Sequence, residues 1–471
     1  MSPVALRRIL VGAGSLALAA SLAGPARAAP EPVPEGFASQ QLAVAGEGGH
    51  ATYREPSIVQ LGDGDLLAWY IGGGSTERAG TALLQRRSSD GGATWGEQTV
   101  VSEGAMSGSG PSAVLDAETG TLFVFHTRSL GAVLAVSEDG GRSWTNRSLR
   151  TVIDRGTVSE MRATGGAGIR IRSGEHAGRL VQPMTGRWPD GSVRAFALIS
   201  DDHGARWRMG EPVSAPDLGR GDEQMGDGAV LELEDGRLLL QSGGSSRAAP
   251  RTAASSSDGG LTWTEPEPEH TQRELPADGS VIGLEPGSSQ ELLLSHTRSS
   301  TAAIRGEALT LRYTCDGGDT WPGVVDLRPP HSQDLPSASR LIALQEGGYG
   351  VLHEEDGRSI TYTAFDREAL DPHCVRIEAP EMRRTGPGAA TMTVTVRNDG
   401  DHDLGPGTVW SDLTQDVAPA ELPRIAPGES ATVELWVYTD MPGPRTSHGA
   451  IIVETDDHRL FGEATLVVEE S

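Results

Sequence analysis

Cysteine is scarce in this chain, whose 471 residues contain only Cys315 and Cys374. Two thiols with no clustered histidines beside them argue against a zinc site, because a structural zinc ion takes four protein ligands. We therefore expect no metal and no other cofactor. In an exported protein an even pair of cysteines indicates a disulfide, so we expect Cys315 and Cys374 to be bonded to each other.

Positive charge is also in short supply. Lys and Arg together number 39 against 65 Asp and Glu, which gives a formal net charge of −26. A nucleic-acid partner is excluded on this basis, because binding to a phosphate backbone requires a basic surface. An acidic surface is consistent with a secreted protein, because repulsion between like charges keeps its molecules soluble. The same repulsion leads us to expect a monomer.

Long apolar runs are limited to one near the start of the chain, ILVGAGSLALAASLAG, which follows Arg7 and Arg8. It precedes the small-residue motif Ala26–Ala28. This order predicts a signal peptide over residues 1–28, read by the general secretory or the twin-arginine route. The run is too short and too early for a membrane anchor, so we expect a secreted protein.

An eight-residue motif is the most prominent feature that the sequence does contain. Its pattern, Ser/Thr-x-Asp-x-Gly-x-x-Trp, occurs at Ser88–Trp95, Ser137–Trp144, Ser200–Trp207, Ser256–Trp263 and Thr314–Trp321. The Asp can accept hydrogen bonds from its own turn, the Gly permits a positive φ, and the Trp offers a large apolar surface for packing. We interpret these five boxes as structural hairpin elements without a catalytic role.

Short alternating apolar runs fill the intervals between the boxes, for example GDLLAWYI, GTLFVFHT and GRLLLQS. Gly, Asp or Ser turns bound each run, which is the pattern of strands and hairpins. The interval between boxes matches the length of a propeller blade. Beyond Cys374 the sequence pattern changes to longer alternating strands such as ATMTVTVRN, which are typical of a small β-sandwich. The sequence therefore predicts an all-β protein with two parts.

The five boxes, the export signal and the stretch YREPSIV at Tyr53–Val59 together resemble the bacterial sialidases of glycoside hydrolase family 33. The resemblance covers nearly the whole mature chain. It implies a six-bladed β-propeller over 36–373, followed by an immunoglobulin-like β-sandwich over 377–471. It also implies that the sixth blade lacks a box and is closed by a strand from the start of the mature chain, and that the active site lies on the propeller axis, on the face away from the boxes.

Two arginines match the family's substrate-binding residues. Members bind the carboxylate of the sugar with three arginines, and the resemblance assigns the first to Arg54 and the third to Arg305, in AIRGEALTLRY. Arg312 is the alternative to Arg305, although its position in the strand favours a structural role. The second arginine would fall at Gly243, so the family's triad is incomplete.

The catalytic groups of the family are missing as well. Members use a tyrosine nucleophile, because a neutral phenol is not repelled by the carboxylate on the reacting carbon. That tyrosine would fall at Ala338, and its activating glutamate at Asp227, or at Glu223 if a loop is inserted. The loop IGGGSTERAG, where the general acid would lie, has Glu77 as its only carboxylate.

Three hypotheses about function remain open. The first is an exo-acting glycoside hydrolase that releases a terminal sugar, sialic acid-like or another glycose, with Glu77, Asp227 and Asp334 as candidate acid, base and nucleophile. Paired carboxylates are the common glycosidase solution for such a sugar. The second is an ordinary exo-α-sialidase whose tyrosine comes from elsewhere in the chain. The third is a non-catalytic carbohydrate-binding propeller. In every case the partner is a glycan.

Overall fold

The computed structural model describes residues 34–469 with internal gaps. The gaps are 75–79, 106–109, 129–130, 150–157, 159, 214–227, 243–248, 275–278, 286–287, 289, 299–307, 328–337, 356, 386–387, 414–415 and 440–443. Within the described residues the protein is all-β. Its helical elements there are a 3₁₀ turn at Glu47–Gly49 and α1 (Arg367–Leu370), which Asp366 caps by accepting from the Ala369 amide.

Six antiparallel units, each built around a path of four paired strands, follow one another in the first three quarters of the chain. The first unit has β2 (Thr52–Gln60), β3 (Leu66–Gly73), β4 (Ala82–Ser88) and β5 (Thr99–Glu103). The second has β6 (Pro111–Asp116), β7 (Thr121–Arg128), β8 (Gly131–Ser137) and β9 (Thr145–Ser148). The third has β10 (Glu160–Ala163), β11 (Ile169–Arg170), β12 (Leu180–Arg187), β13 (Val193–Ser200) and β14 (Arg208–Met209).

The last three units repeat the arrangement. The fourth has β15 (Gly228–Glu232), β16 (Leu238–Ser242), β17 (Ala249–Ser256) and β18 (Glu267–Glu274). The fifth has β19 (Ser280–Gly283), β20 (Leu292–Arg298), β21 (Ala308–Thr314) and β22 (Gly323–Asp326). The sixth has β23 (Ser339–Ala343), β24 (Tyr349–Glu355) and β25 (Ser359–Phe365), and β1 (Ala38–Val44) completes it by pairing with β25. The N-terminal strand that the resemblance implies for this unit is therefore present as β1.

Each box forms the turn that the sequence predicts. In the first box the Ser88 hydroxyl donates to Asp90 Oδ1 at 2.8 Å and accepts from the Gly92 amide at 2.9 Å, while the Thr94 amide donates to Asp90 Oδ1 at 2.8 Å. Hydrogen bonds from the Thr94 side chain and amide, and from Ser88, lower the pKa of Asp90. Gly92 has φ +93°, a conformation that glycine adopts without strain. The aspartate therefore stays ionised and holds its own turn together.

The tryptophans of the boxes join neighbouring units. Trp95 packs edge-on against Tyr362 of the sixth unit, Trp144 against Trp69 of the first, and Trp207 against Phe125 of the second, with ring centroids 5.5, 5.9 and 5.1 Å apart. Trp144 and Trp207 thus contact the preceding unit, and Trp95 joins the first unit to the sixth. The structural interpretation of the boxes is confirmed at these three positions.

Two further sheets follow α1. One contains β26 (Val375–Glu378), β28 (Gly388–Asn398), β32 (Ser430–Thr439) and β30 (Asp416–Ala418). The other contains β34 (Arg459–Glu469), β33 (Arg445–Thr455), β29 (Gly407–Ser411) and β31 (Ala420–Leu422), with β27 (Met382–Thr385) parallel to β34. They share a core of buried side chains that includes Met392, Val394, Leu435, Ile451 and Leu466.

Two contacts attach these sheets to the fifth unit. Gly323 of β22 pairs with Leu460 of β34, so the second sheet continues the sheet of that unit. Arg312, which is buried, donates to the carbonyl oxygen of Trp321, and its guanidinium lies 5.2 Å from the ring centre of Phe461. Arg312 therefore has the structural role that the sequence favoured. No helix among the described residues is long and apolar enough to cross a membrane.

Candidate functional site

Arg54 lies near the start of β2, at the end of the first unit opposite its box. The register of β2 against β3 shifts between Arg54 and Ser57, and Glu55 has φ +56°. A left-handed conformation is costly for a residue with a side chain, and such strain is characteristic of functional sites. The Arg54 side chain at this bulge is 49 % exposed.

The carboxylate of Glu354, on β24, lies next to the Arg54 guanidinium. Its side chain is only 1 % exposed, and its Oε1 lies 3.9 Å from Arg54 Nε. The Glu55 amide donates to the other carboxylate oxygen at 3.3 Å. A buried carboxylate requires such partners, because removing an isolated charge from water is unfavourable. Gly357 closes over the guanidinium: a Cβ there would lie 2.6 Å from Arg54 Nη2.

Ala338 belongs to the same site. The Glu354 amide donates to the Ala338 carbonyl oxygen at 3.0 Å, so one residue connects Arg54 with the position that matches the tyrosine nucleophile. Ala338 is buried, and the adjacent Ser339 hydroxyl donates to that of Ser295 at 2.9 Å. A methyl group at this position supplies neither a nucleophile nor a proton.

All six tyrosines of the sequence lie among the described residues. Five hydroxyls are engaged elsewhere: those of Tyr53, Tyr70, Tyr349 and Tyr362 donate to Glu47, Gln98, Leu284 and Gly91, and that of Tyr313 accepts from the His373 amide. Tyr438 lies on the outer face of β32. Burial raises the pKa of Tyr362 to about 12 and also raises that of the other four buried phenols.

Close backbone packing brings the second, third and fourth units together. The Ser112 hydroxyl donates to the Gly166 carbonyl and accepts from Gln182 Nε2 at 2.6 Å. The Thr164 hydroxyl donates to the Gly228 carbonyl at 3.3 Å, and a Cβ at Gly166 would lie 1.8 Å from that same oxygen. Only glycine permits this approach. Gly228 directly follows the candidate Asp227 in the sequence.

Two buried arginines lie between the fourth, fifth and sixth units. Arg340 Nη1 donates to the Ser339 carbonyl at 2.6 Å and to that of Gly279 at 3.5 Å. A Cβ at Gly279 would lie 2.5 Å from Nη1 of Arg251, which is also buried. Two buried guanidinium groups thus lie near Gly279, one from the fourth unit and one from the sixth. Sequence reasoning missed both of them, as well as Glu354.

The remaining residues predicted from the sequence are four site residues and the two cysteines. Arg305, Glu77, Asp227 and Asp334 lie outside the described residues. The predicted pairing of Cys315 with Cys374 is present as a disulfide with Cα atoms 5.7 Å apart. Among the described residues, one set of side chains has the spacing of metal ligands, Glu291 with these two cysteines, but disulfide sulfurs offer no thiolate to a metal.

Comparison with known proteins places this geometry in a family. Residues 64–363 match the BNR repeat-like domain. A curated sialidase from Micromonospora viridifaciens is 38 % identical over 424 residues, which cover 81 % of this chain and 62 % of the relative. The chain thus spans about three fifths of the length of that curated relative.

Solved structures of sialidases have a similar fold. A Hadza microbial sialidase gives a TM-score of 0.58 at 24 % identity, with 70 % of this chain and 69 % of that chain covered. The intramolecular trans-sialidase from Ruminococcus gnavus gives a TM-score of 0.56 at 18 % identity, with 70 % and 97 % covered. By its repeats, its fold and its relatives, the chain belongs to the BNR-repeat proteins of the sialidase superfamily.

Proposed function

We propose that the protein is a secreted, exo-acting glycoside hydrolase that releases a terminal sugar without using a tyrosine nucleophile. In this proposal residues 1–28 are the signal peptide, 36–373 form a six-bladed propeller, and 377–471 form the immunoglobulin-like sandwich of a monomer. Six successive antiparallel units, the last completed by β1, support the propeller. The shared core of the two C-terminal sheets supports the sandwich.

The observation that carries the proposal is that Arg54 is presented at the site while the tyrosine hydroxyls are engaged elsewhere. Arg54 stays half-exposed and is braced by Glu354 beside Ala338, whereas five phenol groups are engaged elsewhere and the sixth lies on β32. A protein that kept only the scaffold would have no need for a strained bulge that presents a guanidinium. Arg54 therefore orients the sugar, through a carboxylate or hydroxyl group, and other residues perform the chemistry.

Carboxylates are the groups that can do so. We assign Glu77, Asp227 and Asp334 as the candidate general acid, base and nucleophile, and Arg305 as a second substrate-binding residue. In a retaining reaction one carboxylate attacks the anomeric carbon while the other carboxyl group protonates the departing glycosidic oxygen, and water then releases the sugar. An anionic nucleophile is repelled by a carboxylate on the anomeric carbon. The proposal therefore favours sugars that lack that group over ordinary sialic acid.

The test is a screen of the purified mature chain against chromogenic sialosides and aldose glycosides. We expect an aldose glycoside to be cleaved faster than any sialoside, and Asp227→Ala to lower kcat by about 10³-fold or more. Arg54→Ala should raise KM, because it removes a group that orients the sugar. Asp235→Ala, which removes an exposed carboxylate paired with Arg237, is the matched control and should change neither constant.

Two results would contradict the proposal. Sialoside hydrolysis that disappears when one of the six tyrosines is changed to Phe would establish a tyrosine-based sialidase. Binding of glycans with no turnover of any substrate in the screen would establish a carbohydrate-binding propeller.

A further inference from the structure

The C-terminal sheets carry a pair of large side chains that the core does not use. Among the described residues, the exposed large hydrophobic side chains are Val100, Trp436 and Tyr438, which are 55 %, 60 % and 46 % exposed. Trp436 and Tyr438 lie two residues apart on β32, so both side chains point to the same face of the sheet. They are therefore neighbours, about 7 Å apart along the strand.

The alternation of β32 explains why this face is not part of the core. Val433, Leu435 and Val437 point inward and are buried in the core that the two sheets share. Trp436 and Tyr438 point away from it and are free of the packing that holds the fold. Exposed aromatic side chains that contribute nothing to the core are typical of binding surfaces.

The neighbours of Trp436 are small and leave its ring uncovered. Thr391 of β28 lies opposite it on one side and Ala418 of β30 on the other, and both are exposed. Thr393, also exposed, lies opposite Glu434 on the next pair along. We call Thr391, Thr393, Glu434, Trp436 and Tyr438 the aromatic face. It combines a flat apolar surface with hydroxyl groups and one carboxylate.

We propose that the aromatic face binds an uncharged polysaccharide chain. The apolar C–H face of a pyranose ring packs on an exposed aromatic ring, and its hydroxyl groups need donors and acceptors at the edge, which threonine and glutamate provide. Two aromatic rings on one strand offer contacts to successive sugars of a chain. The site lies outside the proposed catalytic residues, and its argument does not depend on the proposed function.

Charge and area select this ligand over other partners. Glu434 belongs to the aromatic face, Asp416 of β30 pairs with Tyr438, and the chain as a whole carries −26, so a nucleic acid or an anionic glycan would be repelled. Partly exposed aromatic side chains expose at most about 150–250 Å² each. A stable protein interface needs about 800 Å² per partner, so two such rings are too little for a dimer.

Affinity electrophoresis of the full mature chain tests the proposal. The gels contain hydroxyethyl cellulose, galactomannan or dextran as neutral probes, and alginate as an anionic probe. We expect retardation by at least one neutral polysaccharide and none by alginate. Trp436→Ala should weaken that binding at least tenfold, and Tyr438→Ala should weaken it to a smaller extent because the less exposed ring offers less contact.

Controls separate binding from folding. Val100→Ala removes the third exposed hydrophobic side chain, on β5 of the first unit, and should retain the affinity of the wild type. Trp436→Phe should restore part of the affinity, and Trp436→Thr serves as a second variant if Trp436→Ala folds poorly. Thermal melting should give the same Tm for every variant, since the aromatic face lies outside the core.

Three results would overturn the proposal. One is no retardation by any of the three neutral polysaccharides. Another is retardation that the double variant Trp436→Ala/Tyr438→Ala leaves unchanged. The third is a wild-type dimer in light scattering that Trp436→Ala converts to a monomer, which would make the face a protein interface.

Discussion

His126 makes a specific prediction about how stability depends on pH. It lies on β7, is fully buried, and has its Nε2 3.4 Å from Asn146 Oδ1. Burial lowers the pKa of His126 from 6.5 to about 4, and the positive charge of Arg128 also lowers it. Replacing His126 by Gln or Asn removes the titrating group while keeping a polar side chain of similar size. Each variant therefore isolates the contribution of one proton.

The sign and the size follow from the two pKa values. The folded pKa lies below the unfolded one, so the unfolded chain binds the proton first as the pH falls. The stabilising contribution is complete above pH 6.5 and is lost as the pH falls from 6.5 towards 4. Between about pH 7.5 and about pH 5.0, the loss in free energy of unfolding amounts to about 2 kcal/mol.

Urea denaturation followed by tryptophan fluorescence measures this quantity. The free energy of unfolding is determined at both pH values for the wild type, His126→Gln and His126→Asn. We expect the wild type to lose about 2 kcal/mol more than either variant between the two pH values, whatever the absolute stabilities. Carboxylates titrate alike in all three proteins, so they cancel in this difference. Equal losses in all three proteins would refute the argument, because His126 would then titrate alike in the folded and unfolded states.

Two further predictions concern the disulfide and the arginine clamp. Changing both Cys315 and Cys374 to Ser should lower the free energy of unfolding by about 4 kcal/mol, because the two cysteines are 59 residues apart and the unfolded chain gains conformational entropy when this loop is opened. Urea denaturation measures the change, and an unchanged midpoint would contradict the prediction. Gly357→Ala should raise KM severalfold with little change in kcat, because its Cβ displaces the Arg54 guanidinium, whereas Gly62→Ala, in open space beyond β2, should leave KM unchanged.

Local chemistry made the scaffold predictable from the sequence. The eight residues of a box contain every interaction that forms the turn. In the first box, Asp90 accepts a hydrogen bond from within the turn and Gly92 adopts the positive φ that the turn requires. The alternation of apolar residues likewise fixed the strands, since the period of two is a local property. Arg54 was likewise predicted as a site residue from its immediate neighbours, in the motif Tyr-Arg-x-Pro.

The partners of Arg54 could not be found in that way. Glu354 is distant from Arg54 in the chain, and the packing of β24 against β2 brings the two side chains together. One signal was nevertheless present: Glu354 follows the apolar run YGVL in a strand buried on both faces, where a carboxylate needs a charged partner. Arg251 and Arg340 carried the same signal, since each sits in a strand between small or apolar residues.

The environments of the tyrosine hydroxyls bear on which residue acts as the nucleophile, a question that the sequence left open. A missing residue at one aligned position leaves open that a phenol reaches the site from another element. That alternative requires a tyrosine with an accessible hydroxyl and an ordinary or lowered pKa, because the phenol must lose its proton to attack. Tyr53 adjoins Arg54 in the chain, but its hydroxyl donates to the Glu47 carbonyl, and burial raises its pKa. The Tyr53 hydroxyl is therefore engaged by another group and its pKa is raised, and both observations support the carboxylate nucleophile that we propose over a phenol.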